Sequence, residues 1–171
     1  MLKRRIALIS TGGTIEKTYD ELSGVLANHV SVLDVMLASL ELRGVEVQRV
    51  ALMNKDSLEM TPDDHTLIAE TATRMARQHA GVVIVHGTDR LAVTGERIHT
   101  LAGQARVPIV LTGAMRPWIM RNTDALQNLT EALLAVQVLA PGVYVSMHNQ
   151  VLQFPGIVKD KDKRTFVQAH G

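Results

Sequence analysis

Two patterns of apolar residues alternate along this chain. Short runs rich in Val and Ile recur at "RIALIS" (5–10), "VEVQRVALM" (45–53), "GVVIVH" (81–86), "VPIVLTG" (107–113) and "GVYVSMH" (142–148). Most are nearly continuous in apolar character, as strands buried on both faces of a parallel sheet require. Between them, apolar residues return every three or four positions in "SVLDVMLASLELRG" (31–44), "TPDDHTLIAETATRMARQHAG" (61–81), "LAVTGERIHTLAGQA" (91–105) and "TDALQNLTEALLAVQVLAPG" (123–142). These predict helices with one apolar face. The second has a marked start: Thr61 caps, Pro62 takes the first helical position, and Asp63 and Asp64 meet the positive end of the helix dipole. Gly44 and Gly81 are expected to stop the first two helices.

Strands alternating with helices predict one open, doubly wound α/β domain over residues 1–171, with a mainly parallel, Rossmann- or flavodoxin-like sheet. No internal repeat, low-complexity tract or linker interrupts it. Residues 14–30 form the one long connection with weak periodicity, and Gly24 lies inside it. Such a segment in a compact domain is expected to be a functional or mobile loop, here a lid. The helix at 123–142 is apolar around much of its circumference and needs cover on more than one side. Core packing supplies that cover, and so does a homodimer or higher homo-oligomer.

At 171 residues and 46% apolar, the chain can bury a sizeable core, and disorder is excluded. A net charge of +1 makes no electrostatic case for nucleic acid. The run "KDKDKR" (159–164) alternates in sign and reads as a solvated loop. There is no cysteine, which excludes disulfides and thiol catalysis and suits a reducing compartment. The apolar run after "MLKRR" is too short for a signal segment, and no stretch reaches membrane-spanning length. The expectation is a cytoplasmic protein with no membrane or nucleic-acid partner.

Ligands of open parallel sheets bind beyond the carboxyl ends of the strands. Thr11, Gly12, Gly13 and Thr14 follow the first strand; Asp56, Ser57 and Glu59 the second; His86, Gly87, Thr88 and Asp89 the third; Thr112, Gly113, Met115 and Arg116 the fourth. Each group has an ordinary reading. "TGGT" makes a tight turn and lacks the pattern of a phosphate loop. Thr88 and Asp89 suit a helix cap. His86 suits a structural hydrogen bond. His65 and His79 show no metal pattern, and the eight methionines suit core filling.

The combination is more specific than its parts. "STGGTI", "HGTD" and "TGAMRP", in this order after the first, third and fourth strands, resemble the bacterial-type L-asparaginase family, which hydrolyses asparagine and often glutamine. "KDSLEMTPDD" (55–64) resembles its substrate-binding Ser-containing stretch, and "VLQFPGIVKD" (151–160) the segment that carries its catalytic lysine. The resemblance implies that Thr14 is the first nucleophilic threonine, Thr88 the second, Asp89 its acidic partner, Lys159 the lysine and Tyr19 the lid tyrosine. It further implies that Ser57 holds the substrate's carboxylate, with Asp89, Thr88 and Gly13 also binding substrate, and that neither cofactor nor metal is needed. A threonine hydroxyl is a weak nucleophile until an adjacent base takes its proton, which is what Lys159 would do for Thr88.

The chain also departs from the pattern. Most members carry a second domain of comparable size, so a short-chain form lacking it is expected. Arg90 stands where threonine is usual after "HGTD". In "RPWIMRNTDALQNL" (116–129), Asp124 and Asn128 are kept, but Trp118 and Arg121 are bulkier than the small residues usual there. The expectation is an asparaginase-like amidohydrolase acting through a threonine acyl-enzyme. The alternatives are hydrolysis of glutamine or another small amide, and a silent ligand-binding domain on the same fold.

Overall fold

The computed structural model describes residues 2–169. In chain order the elements are β1 (Arg4–Gly12), a 3-10 turn (Thr14–Glu16), β2 (Thr18–Asp20), β3 (Val25–Ala27), α1 (Leu33–Ala38), β4 (Val45–Lys55) and a second 3-10 turn (Ser57–Glu59). Next come α2 (Pro62–Ala76), β5 (Gly81–Val85), α3 (Leu91–Ala102), β6 (Pro108–Thr112), α4 (Ala125–Val138), β7 (Gly142–Met147), β8 (Gln150–Gln153), β9 (Ile157–Asp160) and β10 (Thr165–Gln168). The main sheet has the order β4-β1-β5-β6-β7-β8. Its first five strands are parallel and β8 is an antiparallel edge. The α/β architecture is therefore as the apolar pattern predicts.

Each central strand is apolar throughout because it feeds two cores. Ala7, Ile9, Val82, Ile84, Ile109 and Leu111 face α2, α3 and the β9–β10 hairpin. Ile6, Leu8, Val83, Val85 and Val110 face α1 and α4. The connections β1–α1–β4, β4–α2–β5 and β5–α3–β6 share one hand. The connection β6–α4–β7 runs in the same direction as the one before it but over the opposite face. Because such connections are right-handed in about 98% of cases, β6–α4–β7 is the left-handed one. The chain leaving β6 crosses the carboxyl edge of the sheet toward β1 on its way to α4, where the Trp118 N–H meets Ile15 O at 3.2 Å. Residues 113–124 make that crossing, directly above the strand ends.

Three local expectations are corrected. Gly44 and Gly81 do not stop helices. α1 ends at Ala38, where the Ser39 hydroxyl donates to the Met36 carbonyl at 2.6 Å and competes with the helix ladder. α2 ends at Ala76, and Gly81 opens β5, where an added Cβ would meet Val136 Cγ2 at 2.5 Å. These glycines mark close packing of strand starts on α4. Residues 14–30 are not a plain loop but carry the antiparallel β2–β3 hairpin. "KDKDKR" is not wholly a solvated loop, because Lys159 and Asp160 lie in β9, paired with Phe166 and Thr165 of β10. The start of α2 is as expected: Thr61 and Asp64 form a reciprocal capping box with Pro62 at the first turn.

Candidate active site

The site is assembled from chain segments that leave the carboxyl ends of β1, β4, β5 and β6. β1 runs past the end of β5, stays paired with β4 as far as Gly12 and Lys55, and turns at Gly12 and Gly13, whose φ values are 103° and 83°. The Gly13 N–H donates to Lys55 O at 2.9 Å. An added Cβ at Gly13 would lie 2.4 Å from the Gly87 nitrogen, so the "TGGT" and "HGTD" turns touch backbone to backbone. Thr14 opens the following 3-10 turn and is half-buried. On the other side of Gly87 sits Ser57, 2.7 Å from the position of an added Cβ. Gly13, Gly87 and Ser57 thus form one close-packed row.

Asp56 organises the Ser57 turn. Its carboxylate caps the turn by accepting from the Leu58 N–H at 3.0 Å. It also pairs with Lys17 at 2.6 Å, a hydrogen bond that holds the Asp56 carboxyl below its usual range despite partial burial. Ser57 is only 1% exposed, and its Oγ accepts from the Arg90 N–H at 3.2 Å. The hydroxyl proton of Ser57 is left to donate elsewhere. Arg90 also reaches back to Met60 O at 3.3 Å. Its bulk is therefore turned toward the α2 start.

Thr88, Asp89 and Lys159 meet directly. Lys159 Nζ donates to Thr88 Oγ1 at 2.8 Å and to Asp89 Oδ1 at 2.7 Å. The lysine side chain is 17% exposed and the Asp89 side chain 40%. Thr88 points its own proton at Met115 Sδ, 3.8 Å away, a weak acceptor. Neither Thr88 nor Asp89 caps α3, whose N-cap position is Arg90 and carries no side-chain cap bond. His86 beneath them is fully buried, with Nδ1 2.7 Å from Gly87 O; burial pushes its pKa down to about 4. Among the described residues, no group of three or more His, Asp or Glu is placed to hold a metal.

The crossing loop of residues 113–124 is held by Asp124. Its carboxylate accepts from the Met115 and Arg116 N–H groups at 3.0 and 2.9 Å, from Asn128 Nδ2 at 3.0 Å and from His148 Nε2 at 2.7 Å. Burial pushes the Asp124 carboxyl up, but these donors outweigh it and hold the group below its usual range. The Trp118 N–H donates to Ile15 O at 3.2 Å, which fastens the same loop beside Thr14.

The structure therefore brings Thr88, Asp89 and Lys159 into contact and sets Gly13 and Ser57 one residue away through Gly87, with Thr14 next in chain. It does not bring Tyr19 to them. Tyr19 lies on β2, 59% exposed, with its hydroxyl toward the hairpin turn at Gly24. Sequence reasoning missed Lys17 and His148. His148 follows the end of β7, so the strand-end rule extended to the fifth strand finds it. Lys17 has no sequence signal that separates it from other surface lysines.

The family model described as "Asparaginase, N-terminal" matches residues 5–165. An L-asparaginase of Thermococcus kodakarensis is 31% identical over 150 residues, which are 86% of this chain and 45% of that protein. A subunit of the glutamyl-tRNA(Gln) amidotransferase of Methanobrevibacter smithii is 33% identical over 151 residues, which are 87% of this chain and 34% of that protein. Among solved structures, the thermostable L-asparaginase from Thermococcus kodakarensis superposes with a TM-score of 0.81 at 28% identity, covering 96% of this chain and 51% of that one. The probable cytoplasmic L-asparaginase from Campylobacter jejuni gives 0.81 at 29% identity, covering 97% and 53%. The chain spans less than half the length of these curated relatives and about half of these solved chains.

Proposed function

The chain belongs to the asparaginase family, and on that footing we propose that it hydrolyses the side-chain amide of L-asparagine to L-aspartate and ammonia through a threonine acyl-enzyme. The observation that carries this reading is Lys159 Nζ lying within hydrogen-bond distance of both Thr88 Oγ1 and Asp89 Oδ1. A nucleophile, a base and a carboxylate that orients the base are what hydroxyl-dependent acyl transfer needs.

In this scheme Lys159 acts as the base: its amine takes the Thr88 proton while the oxygen adds to the amide carbon. The C–N bond breaks as Lys159 returns that proton to the leaving nitrogen, and ammonia departs. Water then attacks the ester and restores the threonine. Thr14, next in chain after Gly13 of the "TGGT" turn, is the second required hydroxyl of the scheme. Asp89 pairs with the substrate ammonium, and the free proton of Ser57 donates to its carboxylate, with Gly13 giving backbone access. Tyr19 belongs to the proposal only as a lid residue that swings in with its hairpin. No cofactor or metal enters the scheme.

Glutamine is the second reading, because the amidotransferase subunit matches this chain at 33% identity against 31% for the asparaginase. A homo-oligomer belongs to the same proposal, with its contact surface at the exposed Leu134 and Val138 of α4. The test is ammonia release from a panel containing asparagine, glutamine and simple amides, with wild type and Thr88→Ala side by side. Wild type should prefer asparagine, and Thr88→Ala should lose at least about 100-fold, the usual scale for losing acid–base-assisted chemistry. No ammonia from any amide would refute the proposal; a glutamine preference would replace the substrate.

A further inference from the structure

A buried histidine pair lies under the "HGTD" turn, and the amide chemistry above does not use it. His86 Nε2 is 2.7 Å from Thr94 Oγ1. Thr94 Oγ1 is in turn 2.6 Å from His65 Nδ1. The two rings stack with centroids 6.2 Å apart. All three residues are buried, and His65 Nε2 has no partner among the described residues.

The direction of every proton in this chain of bonds follows from its ends. Gly87 O is a carbonyl and only accepts, so His86 Nδ1 carries a proton. Full burial keeps His86 neutral, so it has one ring proton and Nε2 is a lone pair. Thr94 must therefore donate to His86 Nε2. Its single proton is then spent, so its oxygen accepts from His65 Nδ1–H. The order is His65 to Thr94 to His86 to the Gly87 carbonyl.

That carbonyl is thereby held inward. In a trans peptide the following N–H points the opposite way, so the Thr88 N–H is turned away from His86. It has no partner among the described residues. It belongs to the residue whose hydroxyl Lys159 contacts. An unpaired N–H beside the nucleophile is where a tetrahedral oxyanion needs a donor.

We propose that His65 is a positioning residue: through Thr94 and His86 it fixes the Gly87–Thr88 peptide so that the Thr88 N–H serves as an oxyanion donor. The donor role rests on the amide-hydrolysis reading; the proton order does not. His65 is needed because Thr94 has a rival acceptor. A threonine inside a helix readily bonds the carbonyl four residues back, here that of Arg90, whose oxygen already takes the Thr94 N–H at 3.3 Å. The His65 proton occupies the Thr94 oxygen and keeps its hydroxyl aimed at His86.

The test has a structural arm and a kinetic arm. Nitrogen-15 spectra of the wild-type protein should show both His65 and His86 protonated at Nδ1 and bare at Nε2. His65 bare at Nδ1, or His86 protonated at Nε2, would overturn the relay, whatever the protein hydrolyses. In the kinetic arm, His65→Asn keeps a donor near the Nδ1 position and His65→Phe removes it. His65→Phe should lower kcat for asparagine about 10-fold, part of the loss expected for an oxyanion donor removed outright. KM should change little, and His65→Asn should recover most of the rate. Equal rates in the two variants, or a loss confined to KM, would overturn the positioning role. Wild type inactive on all amides would refute the hydrolase reading and with it the donor role, while the nitrogen spectra still decide the proton order. If His65→Phe fails to fold, the comparison of His65→Asn with wild type and those spectra carry the decision.

Discussion

Gly13 is the residue on which the site's geometry turns. It needs a positive φ, and it sits so close to Gly87 that a methyl group would meet backbone at 2.4 Å. Gly13→Ala should therefore cost stability by about 1–3 kcal/mol from the strained backbone alone. It should also abolish turnover by prising the "TGGT" and "HGTD" turns apart. Denaturant unfolding and an ammonia assay check both, and a variant as stable and active as wild type would refute the backbone contact. At this scale the sequence was informative wherever a side chain follows a strand. Thr88, Asp89 and Ser57 could be named because strand ends point at ligands in this architecture. Lys159 could be named only through the family resemblance, since "VLQFPGIVKD" on its own gives no reason for its lysine to reach β5's end. Lys17 was invisible because its partner, Asp56, is 39 residues away.

Among the elements, the β2–β3 hairpin stands apart from the main sheet as a two-stranded unit of its own. Its ends are pinned: the Ser31 hydroxyl donates to the Glu16 carboxylate, Lys17 pairs with Asp56, and Asn28 Nδ2 donates to Gly13 O at 2.9 Å. Its tip is open, with Leu22 fully exposed and Tyr19 mostly so. Pinned ends and an unpacked tip are what a lid over the proposed site would need. Amide exchange across residues 18–27 should be much faster than in β1 and β5, and should slow when L-aspartate binds. Protection equal to that of the central strands, unchanged by aspartate, would contradict a lid. The hairpin was not legible because three-residue strands leave too few positions for a period of two to show. The long strands and helices were legible because burial on one or both faces writes a period directly into them. The hand of β6–α4–β7 was not, since helix periodicity carries no information about which face of the sheet a helix covers.

For the whole molecule, the buried polar base of the site ties stability to pH. His86 stays neutral in the folded protein down to about pH 4, whereas in the unfolded chain it takes a proton near its ordinary 6.5. The unfolded state thus binds more protons between those values, and stability falls as pH falls. The contribution of His86 is fully present above about pH 6.5, and about 3 kcal/mol of it is lost by pH 4, at roughly 1.36 kcal/mol per unit. His65, lowered chiefly by burial, acts in the same direction, and so does Asp124, which loses its donors' stabilisation once protonated in acid. Denaturant unfolding between pH 7 and 4.5 should show this decline, and His86→Gln should show a shallower one. An equal slope in the variant would mean that His86 is not held neutral.

Whether Lys159 is the base for Thr88 is decided by turnover of L-asparagine by Lys159→Met, with L-aspartate affinity measured calorimetrically on the same preparation. The methionine keeps much of the apolar stem but removes the amine that bridges Thr88 and Asp89. Loss of the base should lower kcat by about 100-fold or more, with a much smaller change in aspartate binding. Turnover at the wild-type rate would contradict it.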